Sequence, residues 1–239
     1  MGLVQHHCVI NATSLRYAVI MQTIDFERAR SSEAKLKREQ SILTAARSLG
    51  IARGIREVTL TDIAAAIGMH KSALLRYFET REQIYLMLTA IEWQDWGPTL
   101  RRTLRELSPA TPHNVAVAFA QTLVARPFFC DLLAHVPLNL ERHVSLESVR
   151  DFKLVTHAEV DAIIGTLRER LPRLSPEQAL DLIATATSMA GAQWQMANPG
   201  EETAALYRSD PRLAHAIVDV EPRLARVLGA MLAGFLETS

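Results

Sequence analysis

The residues best suited to chemistry lie in the segment GMHKSALLRYFETR, which spans residues 68–81. The segment combines the cations Lys71, Arg76 and Arg81 with the hydroxyl groups of Ser72 and Tyr77. Such side chains donate hydrogen bonds and attract anions, so together they suit contact with a polyanion. Taken alone, the three cations would equally suit an ordinary solvated helix face.

The distribution of charge favours a polyanion as the partner. The 239-residue chain has no net charge, with 26 basic and 26 acidic residues. Between Arg28 and Arg81, however, lie eleven basic and five acidic residues, a net charge of +6 that leaves −6 for the remainder. A basic N-terminal third joined to an acidic remainder indicates one part for a polyanion and another part for a different task.

Three helices are predicted to position the basic segment. The first two precede it, and the third lies within it. The first runs from about Ser32 to Ala52, and Gly54 is its natural left-handed stop. Thr59 opens the second helix, because Asp62 three residues later completes a capping box. The core-facing residues of this helix are spaced at i, i+3, i+4 and i+7, and they are Leu60, Ile63, Ala64 and Ile67.

Gly68 ends the second helix, and the third is predicted over residues 71–77. Thr80 then caps a longer helix that runs to about Trp96, with a boundary at Gly97–Pro98. Two short helices meeting at a tight turn form the helix-turn-helix arrangement, in which the second helix enters a DNA groove. Neither would persist alone, since nucleation costs more than so few turns return. The turn therefore holds helix 71–77 at a fixed angle on a three-helix platform.

The segment TLTDIAAAIGMHKSALLRYFETREQIYLML, preceded by a helix ending AARSLGIARG, resembles the N-terminal domain of TetR-family transcriptional regulators. The shared features are the Thr-x-x-x-Ile-Ala pattern, the Gly at the turn, the Leu-x-x-Tyr-Phe ending and the basic residue that opens the next helix. The resemblance covers residues 32–90. A second segment, FFCDLLAHVPLNLERHVSLESVRDFK, is similar to the C-terminal domains of some members. The resemblance implies a DNA-binding, nucleoid-associated regulator of transcription, commonly a repressor. The two cysteines, Cys8 and Cys130, are too far apart in sequence to suggest a disulfide framework, and this favours the reducing cytoplasm.

The resemblance also implies which residues touch double-stranded DNA. Thr59 and Thr61 would lie at phosphates, and the start of the recognition helix would lie nearest the base edges. Tyr77 and Arg81 would clamp phosphates, whereas Leu75 replaces the aromatic residue usual in the family. Leu74 and Phe78 are expected in the core. The predicted DNA-contacting set is Thr59, Thr61, His70, Lys71, Ser72, Ala73, Arg76, Tyr77 and Arg81.

The rest of the chain is also predicted to be helical, so the expected fold is all-α. We expect an extension at 1–31 that is poorly ordered or partly helical, a helix-turn-helix domain at 32–90, and a larger ligand-binding and dimerisation domain at 91–239. The helices predicted beyond Pro98 are 99–107, 114–125, 127–134, 146–171, 176–197, 203–207, 211–217 and 222–236.

Helices 176–197 and 222–236 have little polar face, since Ala, Gly and Ser fill much of their surface. We predict a homodimer in which these helices form a four-helix interface and supply two recognition helices to a near-palindromic operator. The alternative is that both helices are central in a monomer.

A cavity for a small-molecule effector is predicted around helix 146–171. Effector binding would favour a dimer whose recognition helices are wrongly spaced for DNA. Each candidate lining residue is more simply explained, taken alone, as ordinary core packing. The candidates are Phe119, Phe128, Phe129, His135, Asn139, Phe152, His157, Met189, Gln193 and Trp194.

Other classes of protein find little support in the sequence. The hydrolase elbow, phosphate loop, dinucleotide fingerprint and spaced metal quartet are all missing, so an enzyme is a lesser alternative and we predict no metal or cofactor. His6–Cys8 is more simply an incidental cluster than a metal site. The run Leu182–Gly200 is interrupted by polar residues, which favours a buried helix over a membrane span. A DNA-binding protein without an inducer remains the other open interpretation.

Overall fold

The computed structural model describes the backbone of residues 12–216 and 218–237, and the side chains of residues 33–213 and 218–237. Every regular element in that part of the chain is helical, which confirms the predicted all-α class. The chain divides into two compact units, Met1–Ile42 and Leu43–Ser239. The helix-turn-helix segment and all later helices belong to the second unit.

The first helix, α1 (Ala12–Arg53), begins twenty residues before the predicted start at Ser32. No glycine or proline occurs between Ala12 and Leu49, so nothing in that stretch interrupts a helix. The predicted extension 1–31 is thus helical from Ala12, while residues 1–11, with the His6–Cys8 cluster, lie outside the described residues. At the other end Gly54 adopts a φ of +79°, the left-handed value expected for a glycine stop.

The helix-turn-helix consists of α2 (Leu60–Ala66) and α3 (Lys71–Leu74), and α4 (Arg81–Glu106) follows it. Gly68 has a φ of +64°, and this lets the Met69 N–H return to the Ala64 carbonyl at 2.8 Å. Regular helix in α3 is shorter than the predicted 71–77. Hydrogen-bonded turns nevertheless continue to Phe78, whose N–H donates to the Leu74 carbonyl at 3.2 Å.

The predicted boundary at Gly97–Pro98 is wrong, because α4 continues through it to Glu106. Proline removes one helical hydrogen bond, yet the helix continues, and α4 packs against α7 (Leu146–Arg170). A Cβ on Gly97 would meet the Glu159 carboxylate, the flexible end of an α7 side chain, so α4 and α7 lie close together at this point.

The remaining helices form the C-terminal part of the second unit, with a π turn at Val136–Leu140 and a 3₁₀ segment at Pro211–Ala216. α5 (Pro112–Val124) packs on α10 (Val220–Glu237), and α4 packs on α7. α8 (Pro176–Ala197) packs on both α6 (Pro127–His135) and α10. Each of α5, α6 and α8 begins with proline at a position where the missing N–H is harmless. The helix between α8 and the 3₁₀ segment is α9 (Glu201–Ser209).

An aromatic cluster joins α4, α5 and α6 at the centre of this part. The ring centroid of Trp93 lies 5.2 Å from that of Trp96 and 5.7 Å from that of Phe129. Phe119 completes the cluster at 6.2 Å from Trp96. These near-perpendicular arrangements are the favoured edge-to-face contacts, and they fix α6 against α4.

Within the described ranges, no single helix has both the length and the apolar character needed to cross a membrane. The segments Pro112–Val124 and Pro127–Leu140 meet that test only when they are counted as one span, and the chain bends by 91° between them.

Candidate DNA-binding surface and effector cleft

The start of α2 is held by the predicted capping box between Thr59 and Asp62. The Asp62 N–H donates to Thr59 Oγ1 at 3.2 Å, while the Thr59 N–H and hydroxyl donate to Asp62 Oδ2 at 2.8 and 2.7 Å. Arg53 donates to the same oxygen at 3.2 Å. Hydrogen bonds from Thr59, reinforced by Arg53, lower the pKa of Asp62 to about 2. The carboxylate therefore stays ionised and keeps α2 capped at neutral pH.

The two faces of α3 are clearly different. Leu74 is 0 % exposed and Phe78 is 3 % exposed, in agreement with their predicted place in the core. Lys71, Ser72 and Arg76 are exposed on the opposite side. Their donor groups therefore point away from the interior, where a ligand can reach them.

Six of the nine predicted DNA-contacting residues are exposed, at the start of α2 and in and around α3. Ala73 and Tyr77 are half-buried there. His70 occupies the N-cap position of α3 without a side-chain cap bond. The exposed members are Thr59, Thr61, His70, Lys71, Ser72 and Arg76.

Arg81 differs from the expectation of a free phosphate clamp. Its Nη1 donates to the carbonyl oxygens of Ile55 at 2.9 Å and Val58 at 3.2 Å, and its Nη2 lies 3.0 Å from Glu82 Oε1. The guanidinium also stands over the Tyr85 ring, 5.7 Å from its centroid. Arg81 is therefore engaged inside the protein, where it ties the segment before α2 to the start of α4.

The ten predicted effector-binding residues do not line one cavity. Phe119 and Phe129 are fully buried in the aromatic cluster, so they serve packing. Asn139 and His157 are exposed, and Met189 is half-buried. Aromatic and polar residues at helical spacing do not reveal which neighbour they meet, and this is why the predicted set is too broad.

Two of the ten, Phe128 and Trp194, line a hollow of about 300 Å³. His135 is buried, with Nδ1 2.9 Å from the Asp131 carbonyl oxygen, and it is therefore a core histidine. Gln193 is buried in α8, and its Oε1 has no hydrogen-bond partner among the described residues.

A larger cleft, of about 490 Å³, lies between α4, α6, α7 and α8 and includes only Phe152 from the predicted set. Its walls are largely apolar, and Lys153 pairs there with Glu141 at 2.6 Å. We call it the effector cleft because it is the candidate site for an effector. Its lining includes Trp93, Leu133, Leu138, Phe152, Thr187 and Gln195.

The sequence did not point to Asp131, although its carboxylate bonds to two distant parts of the fold. Oδ2 accepts from the Ile55 N–H at 3.0 Å, and Oδ1 accepts from Gln195 Nε2 at 2.7 Å. These partners are separated from Asp131 by 76 and 64 residues. No local spacing signals a pairing over such a distance.

Two family descriptions match the chain. "Bacterial regulatory proteins, tetR family" matches residues 42–88, and "Tetracyclin repressor-like, C-terminal domain" matches residues 90–239. No curated protein matches the sequence.

Solved structures share the fold at low sequence identity. FadR from Thermus thermophilus, a TetR-family repressor in complex with lauroyl-CoA, is 20 % identical over 83 % of this chain and 93 % of its own, with a TM-score of 0.53. The fatty acid degradation regulator FadR from Bacillus halodurans is 13 % identical over 82 % and 98 %, with a TM-score of 0.52. FadR from Bacillus subtilis in complex with stearoyl-CoA is 14 % identical over 84 % and 98 %, with a TM-score of 0.50.

The two matched regions cover the helix-turn-helix and nearly all of the helices that follow it. Together with the exposed face of α3, they define what kind of protein this is. The chain belongs to the TetR family of transcriptional regulators.

Proposed function

We propose that the chain is a ligand-responsive repressor that binds a near-palindromic operator as a homodimer. In this proposal a small apolar or amphipathic effector binds the C-terminal domain and releases the DNA. The observation that carries it is the orientation of α3. Lys71 and Ser72 face outward at its first turn, whereas Leu74 and Phe78 are buried beneath it.

The exposed donors divide into base-reading and phosphate-binding groups. Lys71 donates to guanine O6 or N7, and Ser72 donates to a base or a phosphate. Thr61, Arg76 and Tyr77 bind phosphates and fix the orientation of the domain. Arg81 acts indirectly, because its internal hydrogen bonds hold the segment that leads into α2.

A homodimer is supported by an exposed stripe of small and apolar residues on α8 and α10. Leu180 and Ala184 are exposed one turn apart on α8, and Ser188 and Ala192 continue this row to the rim of the effector cleft. On α10 the exposed residues include Val227, Ala230 and Gly234. Such surfaces permit close helix approach, and a second copy would cover them as a four-helix interface.

The effector cleft suits an amphipathic molecule. An apolar body would contact Trp93 and Phe152, and an anionic head group would displace Glu141 from the half-exposed Lys153. Two of the structurally similar regulators hold lauroyl-CoA and stearoyl-CoA, which combine an apolar chain with an anionic head. Acyl thioesters are therefore the first class of compound to test.

The DNA-binding part is tested by selecting duplexes from a random-sequence library with the full chain. We expect a near-palindromic site, and Lys71→Ala weakens binding to it by about 1–3 kcal/mol. Arg102→Ala is the matched control, because this exposed cation lies on α4 about 30 Å along the helix from its start. Recovery of no preferred sequence would end the proposal.

The effector part is tested by a melting screen of apolar and acyl-CoA compounds, followed by operator release. A true effector present at about 100 times its Kd stabilises the protein by about 2.7 kcal/mol. It must also weaken operator binding. If stabilising compounds leave operator affinity unchanged, the protein is instead a DNA-binding protein without a small-molecule inducer.

A further inference from the structure

The segment that joins α1 to α2 depends on a carboxylate from α6. Gly54 reverses the chain after α1, and Ile55 then becomes almost fully buried, with 1 % of its surface exposed. The Ile55 N–H donates to Asp131 Oδ2 at 3.0 Å. A buried N–H without an acceptor is costly, so this bond restrains where Ile55 can lie.

The other oxygen of the same carboxylate faces α8. Asp131 Oδ1 accepts from Gln195 Nε2 at 2.7 Å, and Gln195 lines the effector cleft. His135 is the titratable neighbour on α6, with Nδ1 3.5 Å from Oδ1. One side chain therefore connects the wall of the cleft to the start of the helix-turn-helix.

The carbonyl side of the same segment is held from α4. Arg81 Nη1 donates to the Ile55 carbonyl at 2.9 Å and to the Val58 carbonyl at 3.2 Å. Asp131 thus fixes the N–H of Ile55 while Arg81 fixes its C=O. Because Thr59 follows at once and caps α2, a movement of this segment is passed on to the start of α2.

We infer that Asp131 is a positioning residue that transmits the state of the effector cleft to the helix-turn-helix through Gln195 and Ile55. The inference rests on the proposed function. An effector that takes the Gln195 amide as its own hydrogen-bond partner removes one of the two bonds that orient the Asp131 carboxylate. The position of Ile55 and the operator affinity then change together, and by linkage operator binding changes the affinity of the cleft equally.

A double-mutant cycle on operator affinity tests this relay without knowledge of the effector. Gln195→Met removes the amide but keeps an unbranched side chain. In the otherwise wild-type protein, which keeps Asp131, we expect Gln195→Met to change the operator Kd by about 2- to 30-fold. In the Asp131→Ala background the same change has no further effect. Gln121→Met on the exposed face of α5 is the matched control, and it leaves the Kd unchanged.

Asp131→Asn separates positioning from simple loss of packing. Its carbonyl oxygen can still accept from Ile55, and its amide can donate to a reoriented Gln195, so most of the operator affinity returns. If Asp131→Ala and Asp131→Asn weaken binding equally, the positioning role is wrong. If Gln195→Met changes the operator Kd equally in the wild-type protein and in Asp131→Ala, the relay is wrong.

Amide hydrogen exchange at Ile55 gives a second readout that needs neither DNA nor effector. Gln195→Met is expected to speed exchange of this amide by more than about twofold, since its acceptor becomes less restrained. If the protein binds DNA but Gln195→Met changes neither the exchange of the Ile55 amide nor the operator Kd, the inference is wrong and the proposed function stands. A protein that selects no duplex overturns the proposed function and the inference with it.

Discussion

Gly191 of α8 and Ala134 of α6 meet at backbone contact. A Cβ built on Gly191 would lie 2.7 Å from the Ala134 nitrogen and 3.1 Å from its Cα. Neither atom belongs to a flexible side-chain end, so relief requires movement of a whole helix. The position of α6, and of the Asp131 carboxylate it carries, therefore depends on the absence of a side chain at residue 191.

Gly191→Ala is expected to destabilise the protein by about 1–3 kcal/mol, because overpacking must displace α6 from α8. Gly165→Ala is the control, since nothing lies within 4 Å of its added Cβ, and it should stabilise α7 by about 0.5–1 kcal/mol. Urea unfolding of both variants measures the difference. Equal stabilities would mean that α6 and α8 do not touch as described.

Asp62→Asn is expected to remove an acid-sensitive part of the stability of α2. The folded-state pKa of Asp62 is lowered from 3.8 to about 2. The stabilisation by its carboxylate is therefore fully present above pH 3.8 and is lost as the pH falls towards 2. Melting temperatures of the wild type and Asp62→Asn should converge in that window and stay apart at neutral pH. A constant difference across the whole range would contradict this.

Arg81→Lys is expected to act on stability and on the placement of α2, with no loss of a phosphate contact. A lysine cannot hold two carbonyl oxygens with one rigid fork, so we expect a loss of about 2 kcal/mol. The salt dependence of operator binding should keep its slope. Arg76→Ala is the contrasting variant, because an exposed phosphate ligand lowers that slope by about 1. Arg81→Met, which also removes the charge, should keep the slope as well, and a slope lowered by about 1 in this variant would restore a direct phosphate contact for Arg81.

The ion pair between the buried Glu92 and the partly exposed Arg47 predicts a pH-dependent stability. Burial raises the pKa of Glu92 above its ordinary value, and Arg47 Nη1, 2.5 Å away, offsets part of this shift. Because the folded-state pKa is raised, the folded protein holds this proton to higher pH. The associated stability is present below pH 4.5 and declines as the pH rises through the folded-state pKa.

Arg47→Met should therefore cost about 3 kcal/mol at pH 8 and much less near pH 5, since it leaves a buried carboxylate without its partner. Arg47→Met combined with Glu92→Leu should recover most of the loss. Chemical unfolding at the two pH values gives the comparison. A cost independent of pH would show that Arg47 acts through its packing on Phe128, whose ring centroid lies 5.5 Å away.

Ala184→Glu is expected to separate the proposed dimer. A carboxylate on the small-residue stripe of α8 would be buried without a partner, and this weakens association by about 100-fold or more. Ala158→Glu, on an exposed position of α7, is the matched control. Sedimentation velocity measures both. A dimeric Ala184→Glu protein would place the interface elsewhere. A monomeric wild type would mean that the proposed dimer does not form.

Local chemistry determines much of the DNA-binding region. Thr59 and Asp62 cap α2 because they are three residues apart, and Gly68 takes a positive φ because the turn requires it. Leu74 and Phe78 are buried because four residues return them to the same side of the chain. Each of these signals acts within a few residues, so the sequence alone was sufficient to predict them.

The tertiary structure decided what depends on contacts between distant residues. α4 continues through Pro98 and packs against α7, and Arg81 turns inward because the Ile55 carbonyl lies within reach. The effector cleft and the contacts of Asp131 likewise arise from residues on separate helices. Helical periodicity tells which side of a helix is buried, but the identity of its neighbour is fixed only when all the helices pack.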